Sequence, residues 1–214
     1  MEKELVVKVT NVTKDIKGTK VLDNINLNVE KGKAYGIVGR NGSGKSMLFK
    51  AICGLINITE GEIVVFNKNI KNGSFPDDFG MIIEHPGFLP QYSGFKNLKI
   101  LASIKNKISD DKIKQTISLV GLDPENKLPV KKYSLGMKQR LGIAQALMEE
   151  PKLLVLDEPM NGLDSKGVEE IREMLLKLKS ESVTILLTSH MKEDIDEICD
   201  HVYNMENGVL SQIK

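Results

Sequence analysis

KAYGIVGRNGSGKSMLFKAIC, residues Lys33 to Cys53, joins three kinds of pattern in one stretch. The apolar run Ala34 to Val38 predicts a buried strand. Gly39-Arg40-Asn41-Gly42-Ser43-Gly44 predicts a tight glycine-rich turn, and Lys45-Ser46 opens a helical pattern. Strand, GxxxxGKS turn and helix in that order are the context of a phosphate-binding loop. A triphosphate has to be wrapped by backbone N–H groups, and residues without side-chain bulk let the chain curl that closely. Lys45 adds a cation for the β- and γ-phosphates, and the Ser46 hydroxyl is placed to ligate Mg²⁺. The N-terminus of the following helix adds free donors and a favourable dipole.

The stretch sits in a chain of 214 residues, 41% hydrophobic, long enough for one sizeable core with a subdomain. Thirty Lys and Arg against twenty-nine Asp and Glu leave a net charge of +1, so no global field favours nucleic acid, and none is expected as a partner. Cys53 and Cys199 stand alone in apolar helical contexts, which predicts buried free thiols in a reducing cytosol. The start, MEKELVVKV, lacks the apolar core of a signal peptide, and no apolar run reaches spanning length. Any membrane association is therefore expected to come through another polypeptide.

Upstream, Leu5 to Val12 and Val21 to Val29 alternate apolar and polar residues, predicting antiparallel strands turned at Lys17-Gly18 and roofing the nucleotide site. Downstream come Gly61 to Phe66 as a strand and Phe79 to Ile83 as a buried strand ending at Glu84. From His85 the character changes. The Pro/Gly-rich HPGFLPQYSGF leads into helical spacing at Leu98, Leu101, Ile104 and Ile108, then at Ile113, Ile117 and Val120. A third helix starts near Ser134 and stops at Pro151.

Parallel-sheet logic then returns. Leu153 to Leu156 is a buried strand, Ser165 to Leu178 a helix, Val183 to Thr188 a strand, Lys192 to Cys199 a helix, and Val202 to Ile213 a hairpin around Asn207-Gly208. The expected organisation is an ATP-binding core with antiparallel β-subdomain over 1–84, a helical insertion over 85–150, and the remainder of the core over 151–214.

Asp157-Glu158-Pro159 follows the buried strand Leu153 to Leu156, at the end where α/β folds place their ligands. Asp157 there would hold Mg²⁺, and Glu158 would orient or deprotonate the water attacking the γ-phosphate. His190 ends the next strand and is aimed at the same γ-phosphate; His85 and His201 read as surface or core residues.

Taken with Tyr133-Ser134-Leu135-Gly136-Met137 and Asn161-Gly162-Leu163-Asp164, the order of these motifs resembles the nucleotide-binding subunits of ABC transporters across essentially the whole chain. The resemblance implies an α/β fold: a P-loop NTPase core with a mixed, mainly parallel sheet, an antiparallel β-subdomain and an inserted α-helical subdomain. It also implies an ATPase that drives a separate membrane-spanning permease from the cytoplasmic face of the membrane. Two ATP molecules would be sandwiched in a head-to-tail dimer between the phosphate loop of one protomer and Ser134 and Gly136 of the other, with Asp164 at the interface. Ser134 and Asp164 have a second reading as helix N-caps, compatible with the first.

Two positions depart from the family pattern. Where an aromatic side chain stacks on adenine, the matching residue is Ile16. Where the loop into the helical subdomain carries glutamine, Glu84 stands at the strand end, at the family's distance from Asn97-Leu98, whereas Gln91 falls too far along. Glu84 would ligate Mg²⁺ and make the site more metal-dependent. Glu84 with His85-Pro86-Gly87-Phe88 resembles the ATPase subunits of bacitracin and lantibiotic transporters. Phe88, Leu89, Tyr92 and Phe95 offer either a groove for a partner's helix or closure of the subdomain's own core. The alternatives are a soluble ABC-type mechanochemical ATPase and an ATP-sensing regulatory subunit. The absence of a coiled coil between Ser46 and Asp157 speaks against the first, and Glu158 with His190 against the second.

Overall fold

The computed structural model describes residues 4–71, 73–84 and 86–214. His85 therefore lies outside the described residues.

Two antiparallel strands open the chain, β1 (Leu5–Ile16) and β2 (Thr19–Glu30), joined by the expected turn at Lys17-Gly18. β1 runs four residues beyond the alternating pattern because its ladder slips between Val9 and Val12, where Asn11 takes a positive φ of 49°. A bulge of this kind inserts a residue and shifts the faces, which hides a continuing strand from a period-two reading. Next come β3 (Ala34–Val38), α1 (Lys45–Ile52), β4 (Glu60–Val65), the two-residue β5 (Lys68–Asn69) and β6 (Phe79–Ile82). β5 is too short to have left a periodic signal.

The helical insertion holds α2 (Gly94–Lys105), α3 (Asp110–Leu119) and α4 (Leu135–Leu147), with a 3₁₀ turn at Val130–Lys132. Each helix begins on a serine whose hydroxyl accepts a backbone N–H: Ser93 from Lys96, Ser109 from Lys112 and Ser134 from Met137. The chain then alternates β7 (Leu153–Asp157), α5 (Ser165–Ser180), β8 (Thr184–Thr188) and α6 (Lys192–Ile198), and finishes in the hairpin β9 (His201–Glu206) and β10 (Val209–Gln212).

β2-β1-β4-β5 form an antiparallel sheet, and β10-β9-β3-β8-β7-β6 form the core sheet, parallel throughout except for β10. The apolar strands of the core sheet divide their residues between two faces. Leu154, Leu156, Ile185 and Leu187 join the cluster that includes α2 to α5, whereas Leu153, Val155, Leu186, Tyr35 and Ile37 join the cluster of α1, β1, β2 and β4. A strand covered on both sides has to be apolar at every position, which is why these segments read as continuous runs. At Gly80 a Cβ would stand 1.9 Å from the Ala146 carbonyl oxygen, so glycine lets α4 lie directly on β6 and fixes the helical subdomain against the core.

Among the described residues no helix is long and apolar enough to cross a membrane. Cys53 and Cys199 are buried free thiols, and burial pushes the Cys199 thiol up to about 12.

Candidate nucleotide-binding site

β3, β8 and β7 are neighbours in the core sheet, so the loops leaving their C-terminal ends meet along one edge. The loop after β3 is shaped by three glycines with left-handed backbone: Gly39 at φ 146°, Gly42 at 77° and Gly44 at 115°. Two of them also have no room for a side chain, since a Cβ at Gly39 would stand 2.2 Å from the Met205 carbonyl oxygen and one at Gly44 2.7 Å from that of Val21. Lys45 is buried and its Nζ donates to the carbonyls of Gly39 (2.8 Å) and Arg40 (3.1 Å), which places the ammonium over the hollow of the loop. Ser43 Oγ is buried there without a hydrogen-bond partner.

From α1, Ser46 Oγ donates to Asp157 Oδ2 at 2.6 Å. The other oxygen of Asp157 accepts from Thr188 Oγ1 at 2.7 Å, and Thr188 in turn accepts the backbone N–H of Glu158 at 2.9 Å. Asp157 and Thr188 are partners across the β7–β8 ladder. One threonine thus fixes both the carboxylate before it and the backbone of the next residue. Glu158 has a left-handed φ of 52°, a backbone conformation that a non-glycine residue rarely adopts. Its Oε1 lies 3.1 Å from His190 Nε2 without hydrogen-bond alignment. Burial holds the Glu158 carboxyl above the usual carboxylate range, against the opposing pull of His190.

A cleft of about 330 Å³ is lined by Asn41, Gly42, Gly44, Lys45, Ser46, Asp157, Glu158 and His190, bringing together the loop, two of the three metal candidates and the catalytic candidates; the third metal candidate, Glu84, does not line it. A neighbouring cavity of about 630 Å³ takes in Gly39, Arg40 and Ser43. Ile16 lines neither. It is exposed beside the turn at Lys17-Gly18, and Val21 is the hairpin residue that reaches the cleft. Glu84 is an exposed residue with a left-handed φ of 62°, and its Oε1 is 2.5 Å from Lys50 Nζ. Lys50 follows Ser46 by four residues on α1, so the carboxylate stands beside the helix face that carries the serine.

Ser134, Gly136 and Asp164 gather elsewhere, around a depression of about 600 Å³ shared with Arg140 and Leu135. Asp164 caps α5 by accepting the Gly167 N–H at 2.9 Å, so both cap readings hold. Phe88 and Phe95 pack against the helical core, while Leu89 and Tyr92 stay exposed, dividing the two readings of that segment. His201 packs against Tyr35 with ring centroids 4.8 Å apart and planes tilted by 35°, as a structural histidine.

Sequence reasoning missed Thr188, whose task depends on strand register, and Gln139 of α4. Gln139 Nε2 donates to the carbonyls of Glu158 (3.3 Å) and Pro159 (2.9 Å), tying the segment after Ser134 to the loop after Asp157. A buried amide on an otherwise apolar helix face was its available signal.

Residues 22–161 match the family model described as ABC transporter. Among curated relatives, the uncharacterized ABC transporter ATP-binding protein YybJ of Bacillus subtilis is 51% identical over 206 residues, covering 96% of this chain and 94% of that protein. The bacitracin transport ATP-binding protein BcrA of Enterococcus faecalis is 43% identical, covering 97% of this chain and 68% of that one. The lantibiotic transport ATP-binding protein SrtF of Streptococcus pyogenes is 39% identical, covering 92% and 85%. A nucleotide-free ATP-binding cassette from an ABC transporter superposes with TM-score 0.85 at 26% identity, covering 98% and 91%. The fold is also that of the dimeric, ADP- and Pi-bound cassette MJ0796, with TM-score 0.87 at 24% identity, covering 97% and 99%.

Proposed function

The chain belongs to the ABC transporter family, and from that premise we propose that it hydrolyses ATP to drive a membrane-spanning permease that exports peptide antibiotics of the bacitracin or lantibiotic kind. The observation that carries the mechanism is the Ser46–Asp157 contact at 2.6 Å beside Glu158 and His190. A hydroxyl and a carboxylate oxygen in contact are a donor set for a small hard cation such as Mg²⁺. Among the described residues there is no group of three or more His, Cys, Asp or Glu that could hold a metal ion. When bound, Mg²⁺ would neutralise charge on the β- and γ-phosphates.

In this mechanism the loop from Gly39 to Ser46 wraps the phosphates with N–H groups and Lys45 leaves the loop carbonyls for the phosphate oxygens. Asp157 and Ser46 would hold the cation, and Glu84, which stands where the family carries an amide, would be a further ligand once released from Lys50. Glu158 orients the attacking water and accepts its proton, a task suited by a carboxyl raised through burial. His190 contacts the γ-phosphate. Ile16 would offer adenine an aliphatic contact instead of a ring. Ser134, Gly136 and Asp164 serve the nucleotide of a second copy, so two chains close head to tail over two ATP molecules. The subunit would then sit on the cytoplasmic face of the membrane through its partner.

The test is to express the chain in a bacitracin-sensitive host together with a membrane-spanning protein that co-purifies with it. Protection that disappears with Lys45→Ala supports the proposal; protection unchanged by Lys45→Ala overturns it.

A further inference from the structure

His190 is half exposed, and its one described side-chain partner is Glu158. Its backbone is another matter. Ser189 Oγ accepts the N–H of Met191 at 3.0 Å, bridging across His190, and donates its own proton to Asp194 Oδ2 at 2.7 Å. Asp194 is completely buried, and its Oδ1 accepts from Arg172 Nη2 at 2.9 Å. Arg172 is itself buried on α5, with Nη1 3.0 Å from Glu169 and 3.3 Å from Glu197. A chain of charge-assisted bonds therefore runs from α5 through α6 to the two residues that flank His190.

Such a chain is a poor device for stability alone. Desolvating a buried ion pair cancels most of its Coulomb energy, and apolar residues of the same volume serve as well. Here the pair leaves Arg172 Nε buried without a hydrogen-bond partner, a further cost. Met191, the N-cap of α6, makes no side-chain capping bond, so Ser189 and Asp194 do what is done to hold the start of that helix. What the arrangement secures is direction: Asp194 has both oxygens committed, and the Ser189 hydroxyl both donates and accepts.

We propose that Arg172, Asp194 and Ser189 are positioning residues that fix His190 against Glu158 and the γ-phosphate, acting through the backbone on either side of the histidine. The inference rests on the reading of His190 as a γ-phosphate contact. α5 starts at Ser165, directly after its cap Asp164, and reaches Arg172 two turns later.

Two readouts decide the matter. The chain has three histidines, so the His190 ring signal in a proton–carbon spectrum is identified by its loss in His190→Ala. Arg172→Gln and Asp194→Asn lie away from the ring; either is expected to shift and broaden the His190 signal while that of His201 stays. An unmoved His190 signal in the folded variants overturns the proposal. In the second readout, Ser189→Ala is expected to lower kcat about tenfold, with KM for ATP within about twofold, since small misplacements of a reacting group cost rate and not binding. In the His190→Ala background the same change is expected to have no further effect, whereas an equal loss there assigns Ser189 a role apart from His190 and overturns it. Should His190→Ala alone keep full hydrolysis, the catalytic reading of His190 fails, and the ring signal still settles the positioning.

Discussion

Replacing Thr188 with Val keeps the shape of a fully buried β8 side chain and deletes one hydroxyl. That hydroxyl donates to Asp157 Oδ1 and accepts from the Glu158 N–H, so its loss strands a carboxylate oxygen and a backbone donor. A hydrogen bond to a charged group is worth about 1.5–3 kcal/mol, and an orphaned buried N–H costs about 1–3 kcal/mol. Ser46 still holds the second carboxylate oxygen, and the added methyl recovers part of the loss, so a net destabilisation of about 3 kcal/mol is expected. For a domain of this size each kcal/mol moves Tm by about 2–4 °C, giving a fall of about 6–12 °C in a nucleotide-free calorimetric scan. Thr188→Ser retains the hydroxyl and sacrifices one methyl, so it should lose about 1 kcal/mol. A Val variant as stable as the Ser variant would refute the idea that Thr188 organises the edge, because Val keeps the apolar bulk that Ser gives up and can fall below it only through the two lost bonds.

Other perturbations follow from the same geometry. Lys45→Ala should remove nucleotide binding in equilibrium titration with little change in Tm, since the ammonium bonds to loop carbonyls and not across the fold. Gly39→Ala should cost about 2 kcal/mol or more, from its φ of 146° and the 2.2 Å approach to Met205, and weaken nucleotide binding in parallel. Glu84→Gln takes a negative charge from beside α1 and frees Lys50, so the Mg²⁺ concentration for half-maximal hydrolysis should move; an unchanged metal titration removes Glu84 from the site.

How far the sequence could be read follows from where each feature's cause lies. The loop Gly39–Ser46, the buried strand before Asp157 and the caps Ser134 and Asp164 are causes confined to a few consecutive residues, and each stands where it was expected. Thr188 was invisible because its task is set by the β7–β8 register, which puts it opposite Asp157. The tie from Gln139 to the Glu158 carbonyl and the ion pair of Lys50 with Glu84 depend on docking of a helix onto the sheet edge. At the β1–β2 hairpin, alternation broke at the β1 bulge, so the strand ran on to Ile16 while Val21 reached the cleft. Long-range register and packing, not local preference, made these contacts.

The central claim is that Glu158 acts on water while the remaining residues bind ATP between two copies. The most direct measurement is light scattering of the Glu158→Gln protein on a sizing column, with and without ATP and Mg²⁺, beside a phosphate-release assay. Hydrolysis is expected to vanish while ATP converts the monomer into a long-lived species of twice its mass. Hydrolysis retained by the variant, or a mass unaffected by ATP, would contradict it.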